Sequence, residues 1–180
     1  LNWRGAPTKA MLWANRNGFF YVLDRVTGRF LSGTPFVKVT WASGFDEGGR
    51  PIQTPPPTGT PTWPGNQGGT NWYSPSYSPR TGLFYVSAWE NYASIFRRET
   101  VVYEPGRRFM GGGNQTVTPT PDAPGIGIGR RGPINNWTDA VGNGAVLAID
   151  PQTGQQKWKC VQYDVSDSGI LTTATDLLFT

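Results

Sequence analysis

The sequence predicts an all-β fold assembled from antiparallel strand–turn–strand units, and three observations carry that expectation. Glycine (24) and proline (16) are abundant in 180 residues, aromatics reach 13 % and charged residues only 16 %. That mixture suits many short strands joined by tight turns better than helices. Apolar runs such as FFYVL (19–23) and LFYV (83–86) are short and unbroken, as expected of strands covered on both faces. The third observation is internal repetition. GFFYVLDRVTG (18–28) and GAVLAIDPQTG (144–154) share Gly, then Asp six residues later, then Thr-Gly after two more.

Taken in order, the first unit opens with MLWANRNG (11–18), a strand leading to a turn that carries Arg16 between Asn15 and Asn17. FFYVL follows, and in LDRVTGRFL the Asp and Gly suit a hairpin, because Asp accepts from nearby backbone amides and Gly tolerates positive φ. A stretch rich in Pro and Gly, 42–70, reads as structureless. Next comes GGTNW (68–72), then SPRTGLFYVS (78–87), a turn before an apolar strand that recurs as TATDLLFT (173–180). A second Pro/Gly-rich stretch, 104–143, precedes the repeat at 144–154. Recurring strand–turn units of this kind build propeller blades. The expectation is one domain, 1–180, forming an incomplete β-propeller with variable loops at about 42–70 and 104–143. These are read as rim loops, since long Pro/Gly loops in a compact domain are functional or disordered.

Composition excludes several chemistries. There is no histidine, which removes His-ligated zinc, Ser-His-Asp triads and histidine bases. Cys160 is the sole cysteine, so no disulfide forms within the chain. The net charge of +4 with no long Lys/Arg block gives no nucleic-acid footprint. No apolar run approaches a membrane span of about 18 residues, and no signal peptide is visible. The sequence starts without Met and ends within an apparent strand, so a piece of a longer protein is expected.

AIDPQTGQQKW (148–158) resembles the A-x-D-x-x-T-G-x-x-x-W docking motif of the quinoprotein alcohol dehydrogenases, with Ala148, Asp150, Thr153, Gly154 and Trp158 at its fixed positions. Three further segments, 14–46, 68–86 and DSGILTTATDLLF (167–179), are similar to that family in the same order. The resemblance implies part of an eight-bladed propeller that binds pyrroloquinoline quinone (PQQ) and calcium, on the C-terminal side of the whole. It implies a periplasmic enzyme that oxidises an alcohol or sugar by hydride transfer to the quinone and passes electrons to a haem protein or cytochrome. Any membrane association lies outside this chain, as do the calcium ligands and the catalytic base. Asp150, Thr153 and Trp158 have structural roles under this reading, with Trp158 docking between blades.

By the same resemblance, Arg16 lies near the quinone oxygens. A guanidinium is a fixed, permanently charged donor suited to negative charge developing there. Its plain alternative is a surface arginine capping a strand or pairing with a carboxylate. Asn71 matches an amide that hydrogen-bonds the quinone, with Gly68 and Gly69 admitting the flat ring; otherwise it is a turn residue. Trp72 either lines the substrate cavity or packs. Asp167 stands where the family carries a tryptophan near the cofactor. It either lines a rearranged pocket, where it would repel PQQ carboxylates unless a cation intervened, or faces solvent in a slipped turn. Two other functions remain open: a non-enzymatic PQQ-repeat propeller serving as a periplasmic binding or assembly scaffold, and a degenerate domain binding neither.

Overall fold

The computed structural model describes residues 1–90, 92–98, 100, 102–107, 109, 112–116, 143–162 and 166–180. Among these residues every regular element is a strand and no helix occurs. A small hairpin, β1 (Asn2–Trp3) and β2 (Ala6–Pro7), precedes the first sheet of β3 (Ala10–Ala14), β4 (Phe19–Asp24) and β5 (Phe30–Pro35), paired in that order. The hairpin β6 (Ala42–Phe45) and β7 (Pro51–Gln53) follows, then β8 (Pro61–Thr62). The second sheet holds β9 (Ser76–Ser78), β10 (Leu83–Glu90), β13 (Asn143–Ile149) and β14 (Gln156–Gln162) as an antiparallel meander. Between its two middle strands, β11 (Ser94–Arg98) pairs with β12 (Gly112–Thr116) and with β8. The chain closes with the pair β15 (Leu171–Thr172) and β16 (Leu178–Phe179).

The two sequence repeats are the same local structure. Asp24 Oδ1 accepts from the amides of Val26 (2.8 Å) and Thr27 (3.0 Å), and the Gly28 amide closes the turn on the Asp24 carbonyl (2.8 Å). Asp150 does likewise, accepting from Gln152 (2.9 Å) with Gly154 on its carbonyl (2.7 Å). The hydroxyls of Thr27 and Thr153 each accept an amide two residues on, at 3.2 Å. The pairing even slips at matching places, between Val22 and Leu23 and between Ala148 and Ile149. The side-chain acceptor explains why Asp is used: it satisfies amides that a tight turn leaves unpaired. It also holds the Asp24 carboxyl below the usual carboxylate range, the Thr27 and Val26 amides being the main cause.

This equivalence sets β4–β5 against β13–β14, and the turn repeat sets β9–β10 against β15–β16. The chain therefore reads as three strands of one blade, four of the next and the first two of a third, a partial propeller. Packing follows the two-residue period of a strand. Phe20 and Val22 of β4 face Phe84, Val86 and Ala88 of β10 and Ala145, Leu147 and Ile149 of β13 in one core, with Phe20 and Phe84 rings 4.9 Å apart. The intervening residues of the second sheet, Tyr85, Val146 and Ala148, pack the opposite way onto Ile170 and Leu178. Phe19 and Tyr21 turn outward onto Trp41, Ala42 and Phe45. Both faces are covered, which accounts for the unbroken apolar runs. Truncating fully buried Leu147 to Ala would cost about 2–5 kcal/mol.

Blades also dock through the repeat itself. A Cβ on Gly154 would overlap Thr34 Oγ1, so the turn of the second blade seats directly on β5 of the first. Trp158 lies between the second blade and the β15–β16 pair of the third. It is 40 % exposed, lies 5.7 Å from the Tyr85 ring and lines a cleft with Thr172, Leu177 and Leu178.

The stretch 42–70 departs from expectation in detail, since it holds β6, β7 and β8. Most of the 104–143 loop lies outside the described residues.

Candidate functional site

The meander places loops at one end of the sheets, and all four singled-out residues lie in those loops. Arg16 occupies the 15–18 turn between β3 and β4. The turn is closed by the Asn15 amide on the Phe19 carbonyl (2.9 Å) and the Gly18 amide on the Asn15 carbonyl (3.0 Å). Asn71 and Trp72 lie in the connection from the first blade to the second, and Asp167 in the connection from the second blade to the third. Two backbone bonds tie these loops together. The Gly69 amide donates to the Arg16 carbonyl (2.9 Å), and the Trp89 amide at the end of β10 donates to the Gly69 carbonyl (2.8 Å).

Arg16 is exposed, and its Nη2 donates to the backbone carbonyl of Asn66. Among the described residues it makes no ion pair, so its plain alternative is realised only as a carbonyl cap. Its neighbour Asn17 is pinned on two sides. The Trp41 indole donates to the Asn17 carbonyl (2.9 Å), and the Asn17 amide donates to the Tyr21 hydroxyl (2.8 Å). Burial pushes the Tyr21 phenol up, partly offset by that Asn17 bond, so it stays neutral. Trp41 also walls a cavity of about 610 Å³ with Pro55, Pro56, Pro57 and Pro64.

Gly68 explains how the loops come so close. It adopts φ +86°, and a Cβ there would lie 2.7 Å from the Arg16 carbonyl oxygen and 2.9 Å from Arg16 Cβ. Gly69 is tight for a similar reason, since a Cβ there would overlap Val37. These glycines thus make room for the neighbouring protein turn, a packing role beside the expectation that they admit a flat ring.

Asn71 is half-buried and partly committed to its own loop. Its amide donates to the Gln67 carbonyl (3.2 Å), and its oxygen accepts the Trp72 amide (3.0 Å). One side-chain N–H and one lone pair remain by the donor inventory of an amide. Trp72 is 79 % exposed and rests 4.9 Å from the Tyr73 ring. Tyr73 in turn stacks on Trp89 at 6.3 Å. Asp167 is exposed, and its carboxylate accepts the Tyr73 hydroxyl. The following connection is fixed by Ile170 donating to the Ser74 carbonyl (2.8 Å) and Ser87 to the Ser168 carbonyl (3.2 Å).

The structure therefore brings Arg16, Asn71 and Trp72 onto adjoining loops and joins Asp167 to them through Tyr73. Sequence reasoning overlooked Tyr73, Asn66 and Ser94. Only the adjacency of Tyr73 to GGTNW hinted at it, and nothing local marked the other two. Chemically, the patch offers a cation with no ion pair among the described residues, the Asn71 amide donor and the exposed face of Trp72. That set suits a flat, anionic ligand, and the Asp167 carboxylate beside it is engaged by the Tyr73 hydroxyl. No group of three or more His, Cys, Asp or Glu side chains able to hold a metal occurs among the described residues.

No family model matches the chain. Among curated proteins it is 37 % identical over 190 residues to the quinoprotein alcohol dehydrogenase PedH of Pseudomonas putida, covering 98 % of this chain and 28 % of that protein. It is 33 % identical over 190 residues to 1-butanol dehydrogenase (cytochrome c) of Thauera butanivorans, covering 97 % and 24 % respectively. Among solved structures it is similar to a europium-containing methanol dehydrogenase, with TM-score 0.79 and 28 % identity over 99 % of this chain and 29 % of that one. The quinohemoprotein alcohol dehydrogenase of Comamonas testosteroni gives TM-score 0.72 and 30 % identity over 99 % and 26 %. The chain thus spans about a quarter of the length of these proteins.

Proposed function

The chain belongs to the quinoprotein alcohol dehydrogenase family, a segment of whose propeller it spans, and on that premise we propose that it forms one side of the cofactor mouth in a PQQ-dependent dehydrogenase acting on an alcohol or sugar. The observation carrying this reading is Arg16. A guanidinium with no carboxylate partner among the described residues is held at the loop end, one backbone bond from the Gly69–Asn71 segment. Arg16 and Asn71 would hold the quinone edge, with Trp72 presenting an apolar face beside it. PQQ bound there would supply a two-electron quinone that accepts hydride from the alcohol carbon. Arg16 supplies a preorganised positive charge where negative charge develops, and its bond to the Asn66 carbonyl restrains the direction of the group.

Calcium, or a lanthanide as in the europium-containing neighbour, would be held by residues outside this chain. The names of relatives, which include a cytochrome c-linked butanol dehydrogenase and quinohemoproteins, support a cytochrome or haem acceptor. A periplasmic location accords with that electron path.

The test is PQQ titration with dye-linked oxidation of alcohols and sugars by the full-length protein, reconstituted with PQQ and either metal. Saturable binding with turnover is expected. Neither binding nor turnover on any substrate would favour the scaffold reading.

A further inference from the structure

We infer that Ser94 and Asn66 are positioning residues that fix the direction of the Arg16 guanidinium. Ser94 begins β11 and is fully buried. Its hydroxyl donates to Asn66 Oδ1 (3.0 Å) and accepts the Asn66 amide (3.0 Å), gripping one residue at two points. The Asn66 carbonyl is then the acceptor for Arg16 Nη2. The preceding residue is seated equally closely: the Gly65 amide donates to the Tyr92 carbonyl (2.9 Å), and a Cβ on Gly65 would lie 2.7 Å from Ser94 Oγ. Three segments distant in sequence thus form one chain of contacts, from a buried hydroxyl through a loop carbonyl to an exposed cation. An arginine side chain is rich in rotamers, so a carbonyl that is itself immobilised selects one direction for the fork at little further entropic cost.

The assignment of a catalytic purpose rests on Arg16 facing the quinone; the mechanical coupling from Ser94 to Arg16 does not. Ser94→Ala removes both contacts to Asn66, whereas Ser94→Thr keeps the hydroxyl. In the full-length protein loaded with PQQ, Ser94→Ala should lower kcat about 10- to 100-fold with KM changed less, the effect of misplacing a group by around an ångström. Ser94→Thr should recover most of it. In the Arg16→Ala background, Ser94→Ala should cause no further loss, because the two act as one unit. Losses that multiply independently would overturn the proposal.

A readout without cofactor separates the two claims. In ¹⁵N spectra of the guanidinium groups of the unloaded protein, with the Arg16 signal identified by its absence in Arg16→Lys, wild type and Ser94→Thr should show slow rotation of the Arg16 Nη groups. Ser94→Ala should show averaging. Identical Arg16 signals in wild type and Ser94→Ala would overturn the positioning role. If the protein binds no PQQ, the cofactor reading falls while this spectrum still decides the coupling.

Discussion

Replacing Gly68 by alanine tests how the Arg16 turn is seated against the loop carrying Asn71. Gly68 sits at φ +86°, where a side chain costs about 1–2 kcal/mol in the left-handed region. Its added Cβ would also lie 2.7 Å from the carbonyl oxygens of Arg16 and Thr70. Both are backbone atoms that cannot rotate aside, so relieving the overlap costs about 1–3 kcal/mol more. Gly82 is the control: it adopts φ +70° in the β9–β10 turn, and a Cβ added there would meet nothing within 4 Å. Gly82→Ala should cost only the first penalty, about 1–2 kcal/mol. The difference, about 1–3 kcal/mol, is roughly a 5- to 150-fold change in the folding constant. Urea unfolding followed by tryptophan fluorescence should place the Gly68→Ala midpoint well below that of Gly82→Ala. PQQ affinity should fall only in Gly68→Ala, because displacing Gly68 also moves the Gly69 bond to Arg16. Equal midpoints would refute the packing argument, and unchanged PQQ affinity would refute its link to the site.

The remaining predictions concern charge and hydrogen bonding. Arg16→Ala should lower turnover by about 10²-fold or more with folding little changed, and Arg16→Lys should recover part of it, checked by dye-linked kinetics beside thermal melts. Wild-type rates in Arg16→Ala would remove that residue from the site. Asn71→Ala should weaken PQQ binding by about 1–2 kcal/mol, measured by equilibrium titration; an unchanged affinity would leave Asn71 as a turn residue only. Asp24, its carboxyl lowered by backbone amides, gives stability that is full above the unfolded value of about 3.9 and lost as pH falls through the folded value. The urea-midpoint gap between wild type and Asp24→Asn should therefore be open at pH 6 and close as pH drops below about 4. A gap that ignored pH would contradict the assignment.

The local chemistry of the two repeats was legible in the sequence, whereas the local β6–β7 hairpin within 42–70 was not. The D-x-x-T-G repeats specify their turns through bonds spanning at most five residues, from Asp24 to Gly28 and Arg29 and from Asp150 to Gly154 and Gln155, and those turns form as read. Unbroken apolar runs announced strands covered on both faces, and the collinear motifs pointed to the family. What the sequence left open was every relation between distant segments: that Arg16 is capped by the Asn66 carbonyl, that Ser94 grips Asn66, that Tyr73 takes Asp167, and that Gly154 seats on Thr34. Serine, asparagine and glycine are ordinary loop residues with no periodic signal, and their partners lie 28 to 120 positions away. Such contacts depend on how blades stack, which core packing of Phe20, Phe84 and Leu147 decides collectively. The sequence by itself therefore determined the repeating unit and its turns, whose energetics are local. The tertiary structure alone decided which loops meet at one end, because that depends on the geometry of packed sheets.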